Sequence, residues 1–274
     1  MLTIQVPNVL AADVEDVEMF YTRIKALPLA EQYVFDMSII AFIKPYGAIA
    51  LIAAARYLYT CSGQPVRLEN LAEQPYFYLD RMDIFDIGRD WLQPPNILNE
   101  EWAKDPQTPN LLELTKISGP NDVKAVVSRS ERIFSHWLKI PDLYNLLRVL
   151  SELCCNIYEH SGDTHGCVLI QKYQMIQQNR VIVCLAAGDL GCGIRGSLTT
   201  RYGSIGQEPL DYLHQAMSGQ RTARSTIPYS RENHPSGYYG KLTSFLILRE
   251  ITLCPKNRVR GKPHEKFISP YSRS

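Results

Sequence analysis

Ser151-Glu152-Leu153-Cys154-Cys155-Asn156-Ile157-Tyr158-Glu159-His160-Ser161 and, one hairpin later, Gly188-Asp189-Leu190-Gly191-Cys192-Gly193-Ile194 decide how this chain reads. In the first stretch Leu150, Leu153, Cys154 and Ile157 recur at helical spacing and form a buried stripe. Glu152 and Asn156 stand four residues apart, one turn from each other on a single helix face. An Asn carboxamide oxygen suits a hard cation such as Mg²⁺, and a carboxylate one turn away can orient a metal-bound water or accept a proton. Alone, the pair equally describes a solvated helix face. In the second stretch a buried strand over 181–186 runs into a turn. Asp189 at the strand end can accept a hydrogen bond from an exocyclic amine, the edge that separates adenine from guanine. Gly191 and Gly193 flank one residue and let a backbone pass close to a ligand. Alone, Asp-x-Gly-x-Gly is a common turn.

Outward from these stretches, residues 111–117 read as a strand and 122–138 as an amphipathic helix. A longer helix is expected over 143–160. Residues 167–173 and 181–186 read as a hairpin closed by Gln177-Gln178-Asn179. Helical patterns follow at 209–217 and 241–251. Between them lies a polar segment, 218–234, with Arg221, Arg224 and Arg231, which is either a lid over a triphosphate or a plain surface loop. Next, Gly237 and Gly240 flank two tyrosines ahead of Lys241. No strand is legible after 251, where a basic tail begins.

Glu152-x-x-x-Asn156 with Glu159-His160-Ser161, followed by Asp189-x-Gly191-x-Gly193-Ile194, resembles the N box and first glycine box of the GHKL superfamily. That superfamily comprises the Bergerat-fold ATPases, among them histidine kinases, gyrase B, MutL and the anti-sigma-factor serine kinases. The resemblance spans 111–251 and implies an α/β sandwich that binds ATP with Mg²⁺. It implies that Asn156 holds the metal, Glu152 is the general base or water-orienting carboxylate, and Asp189 binds the adenine amine. Gly191 and Gly193 would make room for the base, and Gly237, Gly240 and Lys241 would meet the phosphates. The sheet of such a domain is here either completed differently or short of its last strand.

The first half reads β-α-β-α-β-α, with strands at 2–6, 33–36 and 66–69 and helices at 14–27, 47–60 and 85–91. The run from Asp36-Met37-Ser38 through Lys44-Pro45-Tyr46-Gly47 into an alanine-rich helix resembles a STAS domain. That resemblance implies an α/β docking or regulatory domain over 1–92 with a protein partner. Pro45 and Tyr46 occupy the positions before the glycine where that family carries its phosphorylated serine, so phosphorylation-controlled switching there is not expected. Gln93-Pro94-Pro95 through Asp105-Pro106-Gln107-Thr108-Pro109 reads as a linker over 93–110. The ATP-binding domain and its tail then occupy 111–274.

Composition narrows the function classes. The 274 residues carry a formal net charge of +1, so no global field favours nucleic acid or acidic lipid. The most apolar stretch, 39–58, is broken by Lys44, Pro45, Gly47 and Arg56, which rules out a membrane span of roughly 20 apolar residues. No signal peptide is expected. Seven cysteines without a Cys-x-x-Cys pair read as small core residues in a reducing cytoplasm. The combined expectation is a cytoplasmic regulatory ATP-binding protein with ATPase or serine/histidine kinase activity. The alternative is a nucleotide-sensing interaction module that acts through a partner. Oligomeric state is not set by the sequence.

Overall fold

The computed structural model describes residues 1–10, 14–95, 111–136, 138–175, 180–203, 211–212 and 249–253. The N-terminal half runs β1 (Leu2–Gln5), β2 (Val9–Leu10), α1 (Val14–Lys25), β3 (Tyr33–Asp36), β4 (Phe42–Ile43), α2 (Pro45–Ser62), β5 (Val66–Glu69), α3 (Glu73–Arg81), α4 (Ile84–Gly88) and β6 (Leu92–Gln93). Strands β1, β3, β5 and β6 pair in that order, all parallel, and each successive pair is joined through one or two helices, as parallel pairing requires. A separate parallel pair joins β2 to β4.

Helix α2 is the centre of the molecule. Pro45 needs no N–H partner at the first helical position, and Gly63, at φ 69°, closes the other end with its N–H on the Tyr59 carbonyl at 2.8 Å. Between them Ala, Ile and Leu face every direction, so the helix can be buried on all sides. It touches β2, β4 and β5 of its own half and β8 (Gly166–Met175) and β9 (Arg180–Gly188) of the other. Its first turn presses so closely on β2 that a Cβ on Gly47 would lie 2.4 Å from the Leu10 carbonyl oxygen. Pro45 and Tyr46 are therefore buried.

The C-terminal half consists of β7 (Leu111–Ile117), α5 (Pro120–Phe134), α6 (Ile140–Cys155), a π-helical turn (Asn156–Ser161), β8, β9, α7 (Gly193–Tyr202) and β10 (Arg249–Leu253). The sheet order is β10-β9-β8-β7 and every pairing is antiparallel. Alternation along β8 explains why residues 167–170 are apolar without a break. Cys167 and Leu169 join the core built around α2, whereas Val168 and Ile170 join the core under α5 and α6. Both faces of this sheet are thus covered. The two halves share one continuous core, which includes Ala48, Ile52, Leu111, Leu114, Leu169 and Ala186.

A bulge in β7 adds polar ties between the halves. The register shifts between Leu112 and Thr115, which frees the Leu114 N–H to donate to the Met82 carbonyl at 3.0 Å. The buried Glu113 carboxylate pairs with Arg81 at 2.8 Å and with Arg129. Tyr78 donates its hydroxyl to Gln171 Oε1 at 3.1 Å.

Mixed α/β class, the strand-helix alternation of the first half and the pairing of 167–173 with 181–186 match the sequence expectations; the parallel order of the first sheet is seen in the structure. Several boundaries do not. Of the helix expected over 241–251, residues 249–251 belong instead to a strand, β10, which lies on the sheet edge beside β9; residues 241–248 lie outside the described residues. The helix expected at 85–91 ends at Gly88, and Leu92–Gln93 adds a fourth parallel strand inside the first residue of the expected linker. Most of the linker, the 218–234 segment, Gly237, Gly240, Lys241 and the tail after 253 lie outside the described residues. No helix of the described residues is long and apolar enough to cross a membrane.

Candidate functional site

The helix carrying Glu152 and Asn156 keeps α-helical pairing up to this point, since the Asn156 N–H donates to the Glu152 carbonyl. The two exposed side chains therefore share a face, as the four-residue spacing predicts. From Asn156 onward the helix widens into one π-turn, a local irregularity that often marks functional sites. Gly162, at φ 69°, ends it.

Ser161, at the end of that turn, joins the two sequence motifs. It is buried, its Oγ donates to the Ile157 carbonyl at 2.6 Å, and the same Oγ accepts from the Asp163 N–H at 2.9 Å. Its carbonyl accepts from the Cys192 N–H at 2.9 Å. The Cys192 thiol reaches the His160 carbonyl at 3.3 Å. The helix end and the glycine turn are thus bound edge to edge, and α7 starts directly beyond them. A Cβ on Gly191 would stand 2.1 Å from the Ser161 carbonyl oxygen, so this contact alone demands glycine there. Gly193 sits at φ 65°, in the left-handed region that favours glycine.

Two buried carboxyls lie side by side behind this turn, and their surroundings differ. Asp163 is saturated. It receives both arms of the Arg56 guanidinium at 2.7 and 3.0 Å, the His165 N–H at 2.9 Å and the Leu190 N–H at 2.8 Å. Burial alone would raise its pKa, but the hydrogen bonds and charge of Arg56, helped by the two N–H groups, leave it below the ordinary value. Asp189 is only 5% exposed, and among the described residues it receives a single hydrogen bond, from the Gly191 N–H at 2.8 Å. Burial pushes its pKa up to about 7; Gly191 and Arg56 pull it down and the negative Asp163 pushes it up. One guanidinium serves two buried acids, and Asp163 takes nearly all of it. Asp189 keeps most of its acceptor capacity, which suits a hydrogen-bond donor brought by a ligand.

Arg56 comes from α2, in the other half of the chain. Its Nη1 also donates to the His165 carbonyl at 3.1 Å, and its guanidinium lies 4.9 Å from the centroid of Trp91. Trp91 in turn meets the His165 ring edge-on at 5.2 Å. Burial, with the charges of Lys116 and Arg56, holds the His165 pKa below its ordinary range. Arg56, Asp163, Trp91 and His165 are not among the site residues expected from the sequence. The available signal was a lone arginine in an otherwise apolar helix, because a buried charge requires a partner.

The structure thus brings Glu152 and Asn156 onto one helix and joins that helix to the Asp189, Gly191 and Gly193 turn. Among the described residues no group of three or more His, Cys, Asp or Glu could hold a metal ion. Cys61, Cys154, Cys155, Cys167, Cys184 and Cys192 are in no disulfide, and burial pushes the thiols of Cys154 and Cys167 up to about 12. That makes both poor nucleophiles and poor metal ligands. Compared with known proteins, the chain matches no family model, and no curated protein and no solved structure matches it.

Proposed function

We propose that the C-terminal half binds ATP with Mg²⁺ in the manner of a GHKL nucleotide site, with a STAS-like N-terminal half as its docking or regulatory partner. The observation that carries this reading is Asp189: a buried carboxylate with one donor, at the mouth of a glycine turn, bonded to the helix that bears Asn156 and Glu152. In this reading Asp189 accepts the exocyclic amine of adenine. Asn156 offers its carboxamide oxygen to Mg²⁺, which takes its other ligands from phosphate and water. When bound, the cation would neutralise phosphate charge. Glu152, exposed one turn before Asn156, orients the attacking water or accepts its proton.

Two substitutions separate binding from catalysis. Mg-ATP affinity is read by calorimetry and turnover by phosphate release on the full chain. Asn156→Ala should weaken Mg-ATP binding. Glu152→Ala should keep binding and lose turnover by about a hundredfold or more, the usual scale for a general base. Turnover that survives Glu152→Ala would remove the base role. Binding without turnover in the wild type would favour the second reading, a nucleotide-sensing module. That reading draws on the shared core and the Arg56 link, which tie the glycine turn to the N-terminal half.

A further inference from the structure

Among the described residues the two halves are joined by a shared apolar core and by polar ties. One of these ties runs straight to the glycine turn. Arg56 leaves α2 with its side chain 10% exposed and meets Asp163, whose side chain is 6% exposed, in a two-pronged ion pair. Asp163 Oδ2 is shared: it accepts from Arg56 Nη1 at 3.0 Å and from the Leu190 N–H at 2.8 Å. Leu190 is the residue between Asp189 and Gly191, whose own N–H closes on Asp189 at 2.8 Å. A guanidinium from the N-terminal half therefore fixes the carboxylate that fixes the backbone on which Asp189 is mounted. Trp91, also from the N-terminal half, stacks against the same guanidinium and limits its rotamers.

We propose that Arg56 is a positioning residue for the adenine-binding turn, so that seating of α2 against the C-terminal sheet sets the nucleotide affinity of the other half. This rests on the nucleotide reading given above. The chemistry is specific to Arg. Lysine would keep the charge but could not hold both Asp163 oxygens in one plane, so Asp163 would be free to rotate away from Leu190. Arg56 also lends its positive charge to Asp189, which lowers that carboxyl's pKa. Among the described residues, the other titratable groups that interact with that carboxyl are Asp163, Cys167 on β8 and Cys192 just before α7.

The test uses the full chain as wild type, Arg56→Lys, Arg56→Met and Tyr78→Phe. The last removes a different tie between the halves, the Tyr78 to Gln171 hydrogen bond, and leaves the turn untouched. Amide exchange without nucleotide reads the turn directly. Arg56→Lys should raise exchange at Leu190 and Gly191 by about tenfold while β8 and β9 stay protected, and Tyr78→Phe should not. Calorimetry with Mg-ATP should show about tenfold weaker binding for Arg56→Lys and less than about twofold change for Tyr78→Phe. Arg56→Met removes the charge as well, so the pH at which nucleotide binding is half lost on acidification should move upward, a shift that a packing role would not produce. Should Arg56→Met fail to fold, Arg56→Lys still decides the matter. Unchanged exchange at Leu190, or unchanged affinity in Arg56→Lys, would overturn the proposal. Absence of Mg-ATP binding by the wild type would overturn the nucleotide reading instead; the exchange arm would then show by itself whether Arg56 holds the turn.

Discussion

Replacing Asp189 by Asn changes one buried group without changing its shape. The Asn oxygen can still accept from the Gly191 N–H, so the turn keeps its internal hydrogen bond. What disappears is a carboxyl whose pKa rises from 3.8 to about 7 on folding. A raised carboxyl favours the folded state while it is protonated. Its contribution is fully present below pH 3.8 and is lost as pH rises through about 7. Above that pH the wild type carries an ionised, poorly solvated group. Three pH units at 1.36 kcal/mol each set a ceiling of about 4 kcal/mol. Asp189→Asn should therefore match the wild type near pH 4 and exceed it by about 2–4 kcal/mol at pH 8. For a chain of this size that is of order 10 °C in Tm. Urea unfolding across pH 4–8.5 checks it. A stability difference that does not vary with pH, or an Asn variant weaker than the wild type at pH 8, would show that Asp189 is not a desolvated carboxyl. The same substitution turns one acceptor into an N–H donor, which would face a donor on the adenine ring. A gain in stability coupled to a loss of binding is the pattern expected of a site held ready for a ligand.

Arg56→Ala leaves Asp163 buried without its counter-ion and should cost about 3–5 kcal/mol in urea unfolding at pH 7. Asp163 has a lowered pKa, so its stabilising contribution is present above pH 3.8 and fades as pH falls further; the penalty of Arg56→Ala should shrink in that acid range. Gly191→Ala places a Cβ 2.1 Å from the backbone oxygen of Ser161 and should destabilise by about 1–3 kcal/mol, with amide exchange rising first around the 189–192 turn.

Much of the site was legible because its elements are local. Helical spacing placed Glu152 and Asn156 together, and the apolar run over 181–186 placed Asp189 just past the end of β9. The buried alanine-rich helix was also legible, since a segment apolar on all sides has only an interior to occupy. The misses have physical causes. Residues 73–81 form α3 although Pro75 falls in its first turn, where a missing N–H does no harm, and Ala72 provides no side-chain cap to announce it. A short apolar run such as 245–253 fits helix or strand by periodicity; pairing of residues 249–253 with the β9 edge decided for strand. The Arg56–Asp163 pair spans 107 residues, and no local pattern encodes such a contact. The sharing of one core across the expected domain boundary is likewise a tertiary fact.

The most direct measurement is calorimetric titration of Mg-ATP into the full-length wild type and Asp189→Asn at pH 8, with folding of both confirmed by circular dichroism. Saturable one-site binding is expected of the wild type, with at least about tenfold weaker binding by Asp189→Asn despite its higher stability. Wild-type protein that binds no Mg-ATP, or an Asn variant that binds it as tightly as the wild type, would mean that Asp189 does not bind adenine.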